Sequence, residues 1–371
     1  MRMREVSDAL ADVITAGGAQ VSYQADVIVD GETAFEALQL APAQLDWDAD
    51  RQVLGQGSCS IVYADENGRS IVPETIADAF TPYATTLSMS MRVTSGSGFD
   101  ELVPMGVFRI EGVSDPRERY TTVNGQRLAI ASSMRLRLAD EFARVVEEDF
   151  PLPQAPSQTS SAWAELQALT GLGVLRVVDD VEIPRDLAYD TSRIGAVFSI
   201  GRLLGGRPYV TPSGLLSLLP DEWPDEGPPL TLGADDYVVP ADPAEWSAAG
   251  VFNEVVVLSF DTSQNTVLGR ARITTGPLRF GGPFGRRTKV LRDEQVTTEM
   301  QGQELAESAL PRYSTRPARR FSTQLFPDPR REVGDVVSFT RENEVTLTGR
   351  IVQLTLAAPG AMTVVVEVPS A

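Results

Sequence analysis

Apolar and polar residues alternate with period two along much of the first 150 residues. Val21-Ser22-Tyr23-Gln24-Ala25-Asp26-Val27 alternates cleanly, and Asp30-Gly31 supplies a turn after it. Leu87, Met89, Met91 and Val93 alternate with Ser88, Ser90, Arg92 and Thr94, the pattern of a half-buried strand. Ser58 to Tyr63 and Arg69 to Val72 flank Asp65-Glu66-Asn67-Gly68, which predicts a hairpin because Asn-Gly accepts positive φ. Ser95-Gly96-Ser97-Gly98 predicts a flexible loop before the apolar segment Val103 to Val113, and Asn124-Gly125 predicts another hairpin. Short strands with regular turns predict a barrel or sandwich.

From 157 to 219 the pattern mixes helical and strand periods. Trp163, Leu166 and Leu169 share a helical face, with Ser160 or Ser161 as N-cap and Gly171 as stop. Asp190 or Ser192 caps a second helix reaching Leu204, ended by Gly205-Gly206. Pro208 to Thr211, the turn Pro212-Ser213-Gly214, and Leu215 to Leu219 predict a hairpin.

After 245 the chain returns to strand patterns. Strands are predicted at Val251 to Phe260 and Val267 to Thr274, then a Gly/Pro loop from Gly276 to Arg287 and a helix from Thr298 to Leu310. Arg319 to Phe326, Val333 to Thr340, and Val345 to Leu356 follow, the last turning at Pro359-Gly360 into Met362 to Val368. Proline-rich breaks at Pro151-Leu152-Pro153 and between Pro220 and Pro243 divide the chain. The expected domains are a first β-barrel over 1–150, a small mixed α/β region over 157–219, a Pro/acidic linker over 220–244, and a second β-barrel with an inserted helix over 245–371. The fold class is mainly β with an α+β middle. Gly106-Val107-Phe108-Arg109-Ile110 and Gly349-Arg350-Ile351-Val352 each open a late apolar strand, a faint internal likeness between the two barrels.

Composition removes several chemistries. The chain has 371 residues, no histidine and a single cysteine, Cys59. Ser-His-Asp and Cys-His nucleophiles, His-ligated metals, intrachain disulfides and thiolate zinc clusters are therefore out. No run of about 18 apolar residues exists, so no membrane span is expected. The net charge is −19, which opposes wrapping of nucleic acid by the whole molecule. That charge is uneven: residues 1–250 sum to −21 and residues 251–371 to +2.

Specific motifs are mostly excluded by their own neighbours. Gly281 to Thr288 lacks the glycine spacing and lysine of a phosphate loop, and Pro283 removes an amide. Gly55-Gln56-Gly57 precedes a strand rather than the helix of a dinucleotide turn. Asp46, Asp48 and Asp50 have calcium-loop spacing, but Arg51 replaces the glycine and Gly57 the bidentate Glu. Cys59 reads as a buried, inert thiol. Asp221, Glu222, Asp225 and Glu226 leave an acid-pair glycan hydrolase as an alternative. Trp47, Trp163, Trp223 and Trp246 leave a β-rich carbohydrate-binding module as another. Arg286-Arg287, Arg312, Arg316, Arg319-Arg320 and Arg330-Arg331 read as docking groups for acidic neighbours, including other copies of the chain, with phosphate binding as second choice.

The C-terminal residues carry a family resemblance. Phe326-Pro327-Asp328-Pro329-Arg330-Arg331-Glu332-Val333-Gly334-Asp335-Val336-Val337, then Thr348-Gly349-Arg350-Ile351, then Met362-Thr363-Val364-Val365-Val366, resembles the closing barrel of bacteriophage baseplate hub (minor tail) proteins. Asn253-Glu254-Val255-Val256-Val257 is similar to the strand that opens that barrel. Gly205 to Leu216 is similar to a hairpin of the family. Leu45-Asp46-Trp47-Asp48 with Pro104 to Ile110 resembles the first barrel of minor tail proteins from phages of actinobacteria.

The resemblance implies a structural, non-enzymatic virion protein at the phage tail tip, made in the host cytoplasm. It implies a homotrimer whose two barrels per chain continue the hexameric tail tube. The implied partners are a distal tail protein, a tape measure and tail-tip fibres. DNA would pass transiently, without sequence-specific binding, along an acidic inner wall. No cofactor or metal is expected. Asp328, Pro329, Gly334, Asp335 and Gly349 are the expected structural motif, and Arg286, Arg287, Arg319 and Arg320 the expected subunit interface. The sequence ends at Ala371 with no appended lytic or carbohydrate-binding domain, so that work is expected on other proteins.

Overall fold

The computed structural model describes residues 4, 6–64, 68–83, 85–221, 230–232, 238–239, 250–259, 266–292, 296, 298–314, 319–341, 345–357 and 360–369. Helix α1 (Asp8–Ala16) starts where the Ser7 hydroxyl accepts from the Leu10 amide at 3.3 Å, and Gly17 ends it at φ +77°. Six strands follow: β1 (Gln20–Val29), β2 (Glu32–Asp48), β3 (Gly55–Tyr63), β4 (Thr85–Thr94), β5 (Asp100–Val123) and β6 (Gln126–Ala139). Asp30 and Gly31 have φ of 50° and 83°, and Asn124 and Gly125 have 51° and 81°. Positive φ at both central positions is the mirror-image turn whose twist matches a hairpin, so both expected turns form. The pairings run β1-β4-β5-β6-β3-β2 and return from β2 to β1. Alternation sends Leu87, Met89, Met91 and Val93 into the core with Tyr23, Val27, Leu45 and Ile61, all almost completely buried. Each such side chain contributes about 1.5–3 kcal/mol.

The expected hairpin between Ser58–Tyr63 and Arg69–Val72 does not form as strands, and its residues 65–67 lie outside the described residues. Both edges of β3 are taken, by β2 and β6, so 69–72 finds no strand to join. That segment instead attaches to β6: the Ala129 amide donates to the Gly68 carbonyl, and the Ile71 amide to the Ser132 hydroxyl.

The middle of the chain holds α2 (Phe142–Glu147), α3 (Ala162–Thr170), α4 (Arg193–Leu203), β7 (Gly206–Val210) and β8 (Leu216–Pro220). Of the alternative caps, Ser161 and Ser192 accept from the third amide of their helices, and Gly171 is left-handed. Their core centres on Trp163, Leu166, Val197 and Ile200. The proline-rich stretch after 150 is tied down. The Phe150 ring stacks on Tyr189 and under Arg193, and buried Glu165 accepts from the Ser157 and Gln158 amides and the Tyr189 hydroxyl.

Next come β9 (Leu230–Thr231), β10 (Val238–Val239), β11 (Glu254–Leu258), β12 (Val267–Arg272), β13 (Thr288–Arg292) and α5 (Glu299–Ser314). The chain closes with β14 (Arg319–Leu325), β15 (Val336–Arg341), β16 (Thr346–Ala357) and β17 (Ala361–Val368). The order β14-β17-β16-β15 is extended by β9 and β10, both parallel to β15. Residues 353–357 of β16 also pair with 44–48 of β2, so the closing strands and the opening ones share one sheet. Among the described residues β14–β17 do not close into a ring of their own.

The chain divides into two compact units, 1–242 with 322–366, and 243–321 with 367–371. In the second, β11 lies between antiparallel β12 and parallel β13, with α5 packed on Val255, Val257 and Ala271 through Ala306. Residues 253–257 therefore do not open the closing sheet, because both edges of β11 are already occupied. Strand β13 was not expected, since its residues alternate only between exposed and half-buried. Helix α5 runs through Pro311, four residues past its expected end. The linker residues 222–229, 233–237 and 240–244 lie outside the described residues.

Candidate functional site

The turn from 326 to 335 is built around one carboxylate. Asp328 is 7% exposed and accepts from both Nε and Nη2 of Arg330 at 2.8 Å and from the Arg330 amide at 3.0 Å, while Arg331 Nε lies 3.1 Å away. Burial pushes this carboxyl up, but the Arg330 fork and the charges of Arg331 and Arg330 outweigh it and hold it below the usual carboxylate range. Pro329 fixes φ inside the turn. Arg331 also donates to the Thr231 carbonyl at 2.8 Å. Asp335 accepts from the Glu332 amide at 2.9 Å, and the Gly334 amide donates to the Ile351 carbonyl at 2.8 Å. Gly334 has φ +99°, and a Cβ there would meet Leu219 Cδ2 at 2.7 Å, so glycine is required. Gly349 is buried opposite Val337 in the β15–β16 ladder. All five expected motif residues thus lie in or beside one turn.

Arg4, which sequence reasoning missed, closes this turn from the other end of the chain. Its Nη1 donates to the carbonyls of Pro329 at 2.7 Å and Arg331 at 3.2 Å, and its guanidinium lies 5.5 Å over the Trp47 ring. Its Nε is 3.2 Å from the Glu332 carboxylate but not aligned as a hydrogen bond, so the pair is a buried charge contact. Burial pushes Glu332 up to about 7 despite Arg4, with Asp335 adding repulsion. Burial likewise lowers Arg4, opposed by Glu332 and Asp335. Among the described residues the cluster consists of paired charges, backbone carbonyls and an indole face. Its chemistry is that of a clasp between the N-terminal segment and the C-terminal turn. Beside it runs a groove of about 540 Å³ lined by Ile14, Leu232, Phe326, Arg330, Arg331 and Met362.

The expected interface arginines are held by aromatic and acidic partners within the chain. Arg286 lies 5.9 Å over Phe280, Arg287 4.7 Å over Phe284, and Arg319 5.7 Å over Phe321. Arg320 pairs with Glu367 at 2.9 Å on an exposed surface. Arg286 and Arg287 share the unit of Arg270 and Arg272, both bound to Glu254. Arg316 and the side chain of Arg312 lie outside the described residues.

Other candidates are resolved by burial and pairing. Arg51 lies 2.5 Å from Asp46 and 3.2 Å from Asp48, neutralising the calcium-like spacing. Trp163 is fully buried and Trp47 nearly so, so neither offers a face for sugar stacking; Trp223 and Trp246 lie outside the described residues. Of the linker acids only Asp221 is described. Burial pushes the Cys59 thiol up to about 12. Among the described residues no helix is long and apolar enough to cross a membrane.

No protein-family model matches the sequence, and no curated protein matches it. Solved structures do. A tail protein from Neisseria meningitidis MC58 aligns with a TM-score of 0.58 at 14% identity, covering 93% of this chain and 96% of that one. The 43 kDa tail protein of prophage MuSo2 from Shewanella oneidensis aligns with a TM-score of 0.55 at 13% identity, covering 94% of this chain and 98% of that one. The chain shares their mainly β fold over nearly its whole length.

Proposed function

We propose that this chain is a non-enzymatic structural protein of a phage tail tip, the trimeric hub that continues the hexameric tail tube. The observation that carries the reading is the fold likeness to two tail proteins, one of them from a prophage, over more than nine tenths of every chain compared. The closed cycle β1-β4-β5-β6-β3-β2 serves as the first barrel-like module and β14–β17 as the core of the second. Three copies then present six β modules, and rotational symmetry covers edges that one chain leaves open. The 328–335 turn, locked by Arg4 and Asp328, fixes the second module against the first module's β2 edge. Arg286, Arg287, Arg319 and Arg320 face neighbouring subunits. A distal tail protein, a tape measure and tail-tip fibres adjoin the ring, DNA passes through it without sequence-specific contacts, and the product resides in the virion after synthesis in the host cytoplasm.

Light scattering of the purified chain at micromolar concentration tests this. A mass three times 40.1 kDa, or a larger multiple, is the expected result. A stable 40.1 kDa monomer, or glycan release from cell walls that an Asp→Asn change abolishes, would refute it.

A further inference from the structure

The chain's positive charge is dense in one stretch, strands β12 and β13 with the loop between them. Between Thr266 and Arg292 stand six arginines and Lys289, with no Asp or Glu, in a chain of net −19. Everything outside that stretch therefore sums to −26. The registers place these charges: Glu254 faces Arg272 and Val256 faces Arg270 across β11–β12, while Val256 faces Val290 and Leu258 faces Arg292 across β11–β13. Directly opposed residues share a face, so Arg270, Arg272 and Arg292 lie opposite the side on which Val255, Val257 and Ala271 meet α5. Glu254 is bound into this face and serves both Arg270 and Arg272. Phe280 lies 4.3 Å from the Arg272 guanidinium and 5.9 Å from that of Arg286. Stacking of this kind steadies guanidinium planes while leaving N–H edges to grip carboxylates, as Arg272 Nε already grips Glu254. Val290, 48% exposed on the same face, adds an apolar contact point.

We propose that this basic face docks the acidic body of a second copy of the chain, so that copies join head to tail. The inference rests on the trimeric reading above and names its contact surface. A positive face and a negative body on one polypeptide complement each other when different patches meet between copies. That is the heterologous interface that closes into a ring. Nucleic acid is a poorer occupant, because a body of −26 repels phosphate.

The test compares the full chain with R279E/R286E. Both positions are exposed and outside the Glu254 network; Arg286 meets the Phe280 ring that also meets Arg272, and Arg279 directly precedes Phe280 in the chain. Light scattering across a dilution series at about 0.1 M salt should show the wild type at three times 40.1 kDa. The variant should need about tenfold more protein for half-assembly, and raising salt to about 0.5 M should weaken the wild type similarly. Where R279E/R286E lacks the wild-type thermal melt, R279Q/R286Q carries the comparison. Trimers indifferent to both pairs and to salt overturn this docking surface while leaving the trimer standing. A wild type monomeric throughout overturns the trimer and the surface together. Binding of a labelled DNA duplex that the variant loses, with assembly unchanged, assigns the face to nucleic acid and overturns the proposal.

Discussion

At the scale of single residues, Arg4 and Asp140 show what burying charge does to this protein. Arg4 is 6% exposed and meets Glu332, two carbonyls and the Trp47 ring. Arg4→Ala leaves Glu332 buried without its counter-charge, and breaking such a pair costs about 3–5 kcal/mol. Denaturant unfolding should show a loss of that size, and a loss below about 1 kcal/mol would mean the clasp is ornamental. Asp140 accepts from the Gly55 amide at 2.6 Å and the Phe142 amide at 2.9 Å, yet burial outweighs both bonds and raises its carboxyl to about 7. Glu332 is raised to about 7 in the same way. A carboxyl with a raised folded value binds its proton more readily folded than unfolded. Stability therefore falls as pH rises from about 4 toward 7 and levels above that. For Asp140 the shift from 3.8 corresponds to at most about 4 kcal/mol. Thermal melts should be higher at pH 5 than at pH 8, and Asp140→Asn should shrink the difference. Melts that rise with pH across this window would contradict the assignment.

At the scale of elements, the crossing of α5 over β12 depends on two glycines. A Cβ on Gly269 would collide with the Gly302 carbonyl, and a Cβ on Gly302 would lie 2.6 Å from the Leu268 backbone. Helix propensity alone says Gly302→Ala gains about 1 kcal/mol. The contact says the helix must lift off Val255 and Val257, and overpacking of this kind costs about 1–3 kcal/mol. We expect the melting temperature of G302A to fall, and a rise would mean α5 yields without cost. A glycine inside the predicted 298–310 helix was the available signal for this contact, since an interior glycine is costly without a packing reason. Elsewhere, local chemistry made elements legible: Asp30-Gly31 and Asn124-Gly125 take the positive φ their turns need, and Ser161, Gly171 and Ser192 cap where capping residues stand. Partners were not legible, because pairing is decided by distant residues. Nothing near 253–257 says that β12 and β13 claim both its edges, and nothing in Met1 to Glu5 marks Arg4 as the bond to residue 329. The Asp328 turn was visible as a motif, but its closing arginine binds Pro329 from 325 positions upstream.

At the scale of the whole molecule, the two ends of the chain complete each other. The outer edge of β2 at 44–48 is paired by β16 at 353–357. The acceptors and counter-charge of Arg4 all come from 329–332. Phe142, Val145 and Phe150 belong to the core formed with Trp163 and Ile200 rather than to the strand cycle. Residues 1–150 on their own would therefore keep the pairings β1-β4-β5-β6-β3-β2 but expose a five-residue strand edge, an orphaned arginine beside Trp47, and three large apolar side chains. An unprotected edge beside fresh apolar surface is a template for aggregation. A 1–150 fragment should consequently elute as large species or precipitate and lack a cooperative melt, whereas the full chain stays dispersed. A monomeric 1–150 fragment with a sharp melt would show that the closed strand cycle suffices by itself. The joint with β16 would then serve to orient the closing strands rather than to stabilise the opening ones.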